Sequence, residues 1–179
     1  MTLRKAGAYS RKIGRAFTRI SKNKSKSYIK TVPFIKVVKF HVGSQKDYAD
    51  GKHTYAVSMI SQEDVLLRDT AIEAARMLLT KVMDEKALGQ YYLAVKVFPH
   101  HFLRENKLAA GAGADRMATG MTQSYGVIVG RAARVKANQA VFFISCATDK
   151  VARMARDALQ AAKAKVPFQT KLVFEKLDK

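Results

Sequence analysis

Residues 141–177, VFFISCATDKVARMARDALQAAKAKVPFQTKLVFEKL, change their apolar period twice. Residues 141–146 form a continuous apolar run of strand length. Thr148 then offers a capping oxygen, and Val151, Met154, Ala155, Ala158 and Ala162 recur at helical spacing. Pro167 follows the helix, and residues 172–177 read as a further strand.

The same strand–helix–strand pattern occupies residues 54–98. Tyr55, Val57 and Met59 alternate with smaller residues, as a strand does. Ser61 and Asp64 resemble a capping box, which starts a helix reaching about Ala87. Its apolar face is read as Leu67, Ala71, Ala74, Ala75, Leu78 and Val82, with Glu63, Asp64, Asp69 and Glu73 near its positive end. Gly89 ends it. Tyr91, Leu93, Val95 and Val97 then alternate in a strand that stops at Pro99. Outside these passages, residues 34–42 read as a strand between Pro33 and Gly43, and residues 44–52 as a polar turn. Residues 127–135 and 141–146 read as strands joined by the turn Ala137-Asn138-Gln139. The expected class is α+β, with two helices on one face of a largely antiparallel or mixed sheet. Strand order is left open.

The 179 residues suffice for one domain with an appendage, and 48% hydrophobic content excludes a wholly disordered chain. The formal charge of +19 is the outlier. Self-repulsion of that size is best offset by a partner carrying negative charge, and nucleic acid fits it. The single cysteine, Cys146, excludes a disulfide framework and a multi-cysteine zinc site, and its apolar run favours core packing over a nucleophile. A reducing, cytoplasmic setting fits. No apolar run has membrane-spanning length, and the basic N-terminus lacks the apolar block of a secretory signal.

The excess charge is concentrated. Residues 1–46 hold 13 Lys or Arg and no Asp or Glu, whereas residues 47–98 carry more acids than bases. We divide the chain into a basic RNA-binding arm, 1–32, and a single α+β domain, 33–179. Arg4, Lys5, Arg11, Lys12, Arg15, Arg19, Lys22, Lys24, Lys26 and Lys30 are the arm's phosphate-binding candidates. Tyr9, Phe17, Ile20, Tyr28 and Ile29 interrupt them, and could stack on bases or pin the arm to the domain. A solvated basic tail is the alternative. Residues 1–30 are expected to be extended and to order only on RNA.

Three further stretches carry chemistry. Residues 99–107, PHHFLRENK, crowd His100, His101, Arg104, Glu105, Asn106 and Lys107 together. Adjacent histidines do not make a helical metal motif and too few ligands lie nearby, so no metal is expected. Histidines satisfied at a strand end and RNA contact both remain open. Residues 110–116, AGAGADR, resemble a dinucleotide loop, but Arg116 stands where the third glycine belongs and no strand feeds the loop. Gly111 and Gly113 suit close backbone approach or mobility. Arg134 and Lys136 share one face of a strand and Arg131 the other. With Asn138 nearby they are candidate phosphate ligands; a solvated sheet edge is the other reading. No spacing sets up an acid–base pair, so no catalytic residue and no cofactor is expected.

Three stretches together resemble a known family: residues 28–33, YIKTVP; residues 97–107 with 110–117, VFPHHFLRENK and AGAGADRM; and residues 130–139, GRAARVKANQ. The chain resembles the universal large-subunit ribosomal protein sixteen family, in its archaeal and eukaryotic "ten-e" form, over nearly its whole length. Length and a short C-terminus look archaeal. The resemblance implies a two-layer α/β hammerhead-like sandwich. It implies a structural, non-enzymatic role on large-subunit ribosomal RNA in the cytoplasmic ribosome, near the cleft that binds transfer RNAs. The Gly-rich loop, about 101–116, is implied to approach the peptidyl-transferase region and contact transfer RNA transiently. His100, His101, Arg104, Asn106, Lys107, Gly111, Gly113 and Arg116 are its transfer-RNA-proximal residues. Neighbouring ribosomal proteins are implied partners; no homo-oligomer and no membrane is expected. A small basic enzyme using His100, His101 and Glu105, and a free-standing RNA-binding regulator, are the alternatives.

Overall fold

The computed structural model describes Gly7 and residues 21–27, 29–105 and 126–177. In chain order the elements are β1 (His41–Gly43), α1 (Gln45–Ala49), β2 (Tyr55–Ser61), β3 (Val65–Arg68), α2 (Asp69–Ala87) and β4 (Tyr91–Val95). They continue as β5 (His101–Glu105), β6 (Val127–Val135), β7 (Ala140–Cys146), α3 (Asp149–Ala162) and β8 (Thr170–Lys176). The class is α+β, as expected, but the strands form two sheets. One has five strands in the order β1-β4-β7-β2-β8, and the other three in the order β3-β6-β5. Among the described residues every pairing is antiparallel.

Register explains the core. Leu93, Ile144 and Val57 stand side by side across β4, β7 and β2, and Val95, Phe142 and Met59 make the next row. All six are 6% exposed or less. α2 and α3 pack on each other and bring Ile72, Ala75, Leu79, Met83, Val151, Ala155 and Leu159 into the same apolar cluster. Each such large side chain contributes about 1.5–3 kcal/mol on burial, so this layer dominates stability. Within it, burial pushes the Cys146 thiol up to about 12, which makes it a packing residue rather than a nucleophile.

α3 follows the sequence reading. The Thr148 side chain accepts from the Val151 amide, and Val151, Ala155, Ala158 and Ala162 are buried. Met154 is only half-buried, while Ala152 and Leu159 join the buried face.

α2 departs from it. Residues 65–68 are strand β3, not the first turn of a helix. Val65 and Leu67 enter the main core, whereas Leu66 packs with Leu103 and Ala132 on the opposite side of the small sheet. An apolar run buried on both sides suits a strand, and period alone does not separate it from a buried helix. The helix therefore begins at Asp69, and its inner face is Ile72, Ala75, Leu79 and Met83. Of the residues assigned to that face, Leu67 lies in β3, Ala75 is buried, Ala71, Leu78 and Val82 flank the core, and Ala74 is exposed. Asp64 serves a turn instead of a helix: its Oδ1 accepts from the Ala137 amide at 2.7 Å.

The strand expected at 34–42 is paired only over His41–Gly43. Residues 33–40 form an extended strap whose backbone is held by side chains. The Lys36 amide donates to Asp69 Oδ2 at 3.1 Å and the Val38 amide to Glu73 Oε2 at 3.2 Å, while Arg131 Nε donates to the Pro33 carbonyl at 2.8 Å. After the strap, Gly43 adopts φ +91°, and a Cβ there would lie 2.3 Å from the Tyr91 carbonyl oxygen. Only glycine lets β1 close on β4 at this point. The polar stretch 44–52 contains α1 in place of a plain turn.

Candidate RNA-binding surface

The two sheets exchange strands at adjacent turns. β2 passes to β3 through residues 62–64, and β6 passes to β7 through residues 136–139. The turns are bonded together: the Asn138 amide donates to the Ser61 carbonyl at 2.7 Å, and the Ser61 amide to the Gln139 carbonyl at 3.0 Å. Gln139 Oε1 accepts from the Lys136 amide at 2.9 Å. Asn138 sits at φ +62°, a left-handed conformation that asparagine tolerates better than most residues. The backbone of this turn is thus fixed from several sides.

Fixing it leaves the cationic side chains outside. Arg134, Lys136 and Asn138 are all exposed. With His100, Ala137 and Gln139 they line an open depression of about 530 Å³. Among the described residues the carboxylate bonded to the turn is that of Asp64, whose Oδ1 accepts from the Ala137 amide. His100 sets its Nδ1 3.1 Å from the Phe98 carbonyl, an acceptor, so Nδ1 carries a proton. The arrangement offers two mobile cations and neutral hydrogen-bonding groups on a rigid frame. That suits phosphate and sugar contacts. Among the described residues no group of three or more His, Cys, Asp or Glu could hold a metal ion.

Arg131 faces the other way. Its strand position opposes Phe102, its guanidinium carbon lies 5.3 Å from the Phe102 ring centre, and its Nε holds the strap at Pro33. Burial lowers its pKa, opposed by the charge of Asp69. The alternation along β6 separated Arg131 from Arg134 correctly; which face turns inward depended on the β5 and β3 partners.

The loop expected from residue 101 begins later. His101–Glu105 is strand β5, paired with β6. His101 stands opposite Ala132 and is buried, and Arg104 is partly buried. Burial, helped by the charges of His100 and Arg134, holds His101 down at about 4. It is a neutral core residue at neutral pH. Asn106, Lys107, Gly111, Gly113 and Arg116 lie outside the described residues, as do Arg4, Lys5, Arg11, Lys12, Arg15 and Arg19.

Residues 21–30 also differ from expectation, since the described part is folded rather than extended. Ile29 is fully buried, and Ser27 Oγ donates within the turn. Lys30 Nζ donates to the Lys24 and Ser25 carbonyls, so it closes this turn, while Lys22, Lys24 and Lys26 remain exposed. Burying Ile29 offsets the entropy of ordering a short basic segment.

Arg68 was missed. It belongs to β3 beside Ala132, diagonal to Arg134 on the outer face of the small sheet. Reading residues 65–68 as helix concealed it; nothing in the run Val65-Leu66-Leu67 separates strand from helix, and only the pairing with β6 places it.

This frame matches known proteins along its length. The family model for ribosomal protein L16p/L10e matches residues 16–173. A large ribosomal subunit protein uL16 from Pyrobaculum neutrophilum is 37% identical over 177 residues, covering 98% of this chain and 93% of that one. The uL16 of Staphylothermus marinus is 36% identical over 178 residues, covering 99% and 96%. That of Methanococcus maripaludis strain C7 is 37% identical over 177 residues, covering 98% and 96%. A family model that spans residues 16–173, together with relatives 36–37% identical over nearly the whole chain, leaves one assignment: the chain belongs to the ribosomal protein L16p/L10e family.

Proposed function

We propose that this chain is a structural constituent of the large ribosomal subunit, acting in translation in the cytoplasm, and that it binds ribosomal RNA beside neighbouring ribosomal proteins. The observation that carries the reading is the turn at residues 136–139, where a fixed backbone displays Arg134, Lys136 and Asn138 around one depression. The family supports a structural rather than an enzymatic role. The arm, 1–32, adds a segment free of acids that lies along phosphates. In this reading the helix layer and the sheets form the two-layer, hammerhead-like body. The Gly-rich loop, about 101–116, less the residues 101–105 that form β5, approaches the peptidyl-transferase region and meets transfer RNA transiently.

Arg134→Ala and Lys136→Ala are expected to weaken association with large subunits stripped of this protein, each lowering the salt slope by about 0.7–0.9, with little loss of fold stability. Arg131→Ala is expected to behave differently. Losing the Pro33 bond and the Phe102 contact costs about 1–2 kcal/mol of stability, seen as a lower Tm. Unchanged binding and slope for the two turn variants would remove the turn from the RNA interface.

The loop gives a separate expectation. Gly111 and Gly113 with four alanines at 109, 110, 112 and 114 offer little apolar surface, and His101 and Arg104 belong to β5. Deleting residues 106–114 should leave the protein sedimenting with the large subunit but reduce transfer-RNA positioning and translation. Failure to sediment would make the loop a docking element, and undiminished translation would make it a passive one.

A further inference from the structure

The strap at residues 33–40 alternates. Pro33, Ile35 and Val37 turn toward the domain, whereas Phe34, Lys36 and Val38 turn away from it. Phe34 is 91% exposed and Val38 74%, the former being an extreme value for a phenylalanine. The strap is not loose. Its backbone is held at three points, by Arg131 at Pro33, by Asp69 at Lys36 and by Glu73 at Val38. The Phe34 ring is therefore carried on a segment already ordered, and little further backbone entropy is lost when something binds it.

We propose that Phe34 is a stacking platform for one unpaired nucleotide of ribosomal RNA, with Lys36 and Lys39 meeting the flanking phosphates. The inference rests on the RNA-binding reading above and names a second contact, separate from the turn at residues 136–139. Three observations select the occupant. First, the outward residues alternate aromatic, cationic and apolar, so Phe34 and Val38 do not form one contiguous apolar patch, and a protein partner covering both would desolvate Lys36 between them. A nucleotide satisfies both kinds of group, with its base on the ring and its phosphates on the lysines. Second, Lys36 and Lys39 are exposed, and no acid occurs anywhere in residues 1–46. Third, the carboxylates beneath the strap are already used. Asp69 is buried and accepts from the Lys36 and Thr70 amides, and Glu73 accepts from the Val38 amide and pairs with Arg76. Asp69 feels the charge of Lys36 across the strap, but neither carboxylate is hydrogen-bonded or ion-paired to a lysine head group, so both ammonium groups can meet phosphate.

The test uses the full chain and large ribosomal subunits stripped of this protein. Phe34→Ala should weaken association roughly 5- to 100-fold while leaving the salt slope unchanged, because stacking releases no counterion. Phe34→Tyr should restore most of the affinity. Lys36→Ala should instead reduce the slope by about 0.7–0.9. Chemical probing should show one base that is protected by the wild-type protein and exposed with Phe34→Ala. Equal affinity for Phe34→Ala and wild type overturns the proposal, and so does a photo-cross-linker at position 34 that captures a protein. If the wild-type chain itself shows no salt-dependent binding to the stripped subunits, the RNA-binding reading fails along with this one.

Discussion

Removing residues 1–26 flattens the salt dependence of RNA binding. The truncation deletes nine of the ten Lys and Arg in residues 1–30 and no acid. If the arm neutralises about six phosphates, log K falls against log salt with a slope of about −4 to −5 attributable to the arm. Between 50 and 200 mM salt that slope alone amounts to about 250- to 1,000-fold in affinity. The truncated chain should retain the shallower slope of the turn and strap cations, near one unit for each phosphate they meet. Filter binding or sedimentation across a salt series with both chains measures the difference. An unchanged slope would place the main phosphate footprint on the folded domain.

Acid unfolds this protein through His101. The folded state holds the imidazole at about 4, first by burial and then by the charges of His100 and Arg134, while an unfolded histidine titrates near 6.5. Below 6.5 the unfolded chain takes up a proton that the folded chain refuses. Stability from this group is thus complete above pH 6.5 and is lost as the pH falls toward 4. The full shift corresponds to about 3 kcal/mol. His53, buried against Ser145, is depressed in the same direction by its own burial and titrates in both proteins compared. Urea unfolding of the wild type and His101→Phe at pH 7 and at pH 4.5 isolates the effect. The wild type should lose more stability between the two pH values than the variant, whatever constant offset the substitution brings. Parallel losses would show that His101 is solvated and titrates normally.

What could be read from sequence depended on how local its cause was. α3 was legible because its cap, its spacing and its stop all lie within twenty residues of each other. The inward face of the central strands was legible in the alternation of Tyr55, Val57 and Met59 and of Leu93 and Val95, but which strands pair, and in what register, was not. The start of α2 was not legible, because an apolar run of three fits a two-sided strand and a helix equally well, and only the partner β6 decides. The strap was hidden for a related reason. Its amides are answered by Asp69 and Glu73, more than thirty residues away, so an extended chain without a ladder partner looks the same in sequence as a strand. In the candidate site, alternation along β6 placed Arg131 and Arg134 on opposite faces. It could not say that Phe102 and Pro33 would claim the first and leave the second exposed. His101 was drawn into the loop by its chemistry, and its burial followed only from pairing with Ala132.

The most direct measurement is a density map of the large ribosomal subunit containing this chain. The account predicts Arg134, Lys136 and Asn138 within hydrogen-bonding distance of ribosomal RNA phosphates or sugars, with residues 1–26 following the RNA backbone. A map in which that turn faces solvent or another protein, with the arm away from RNA, would contradict it.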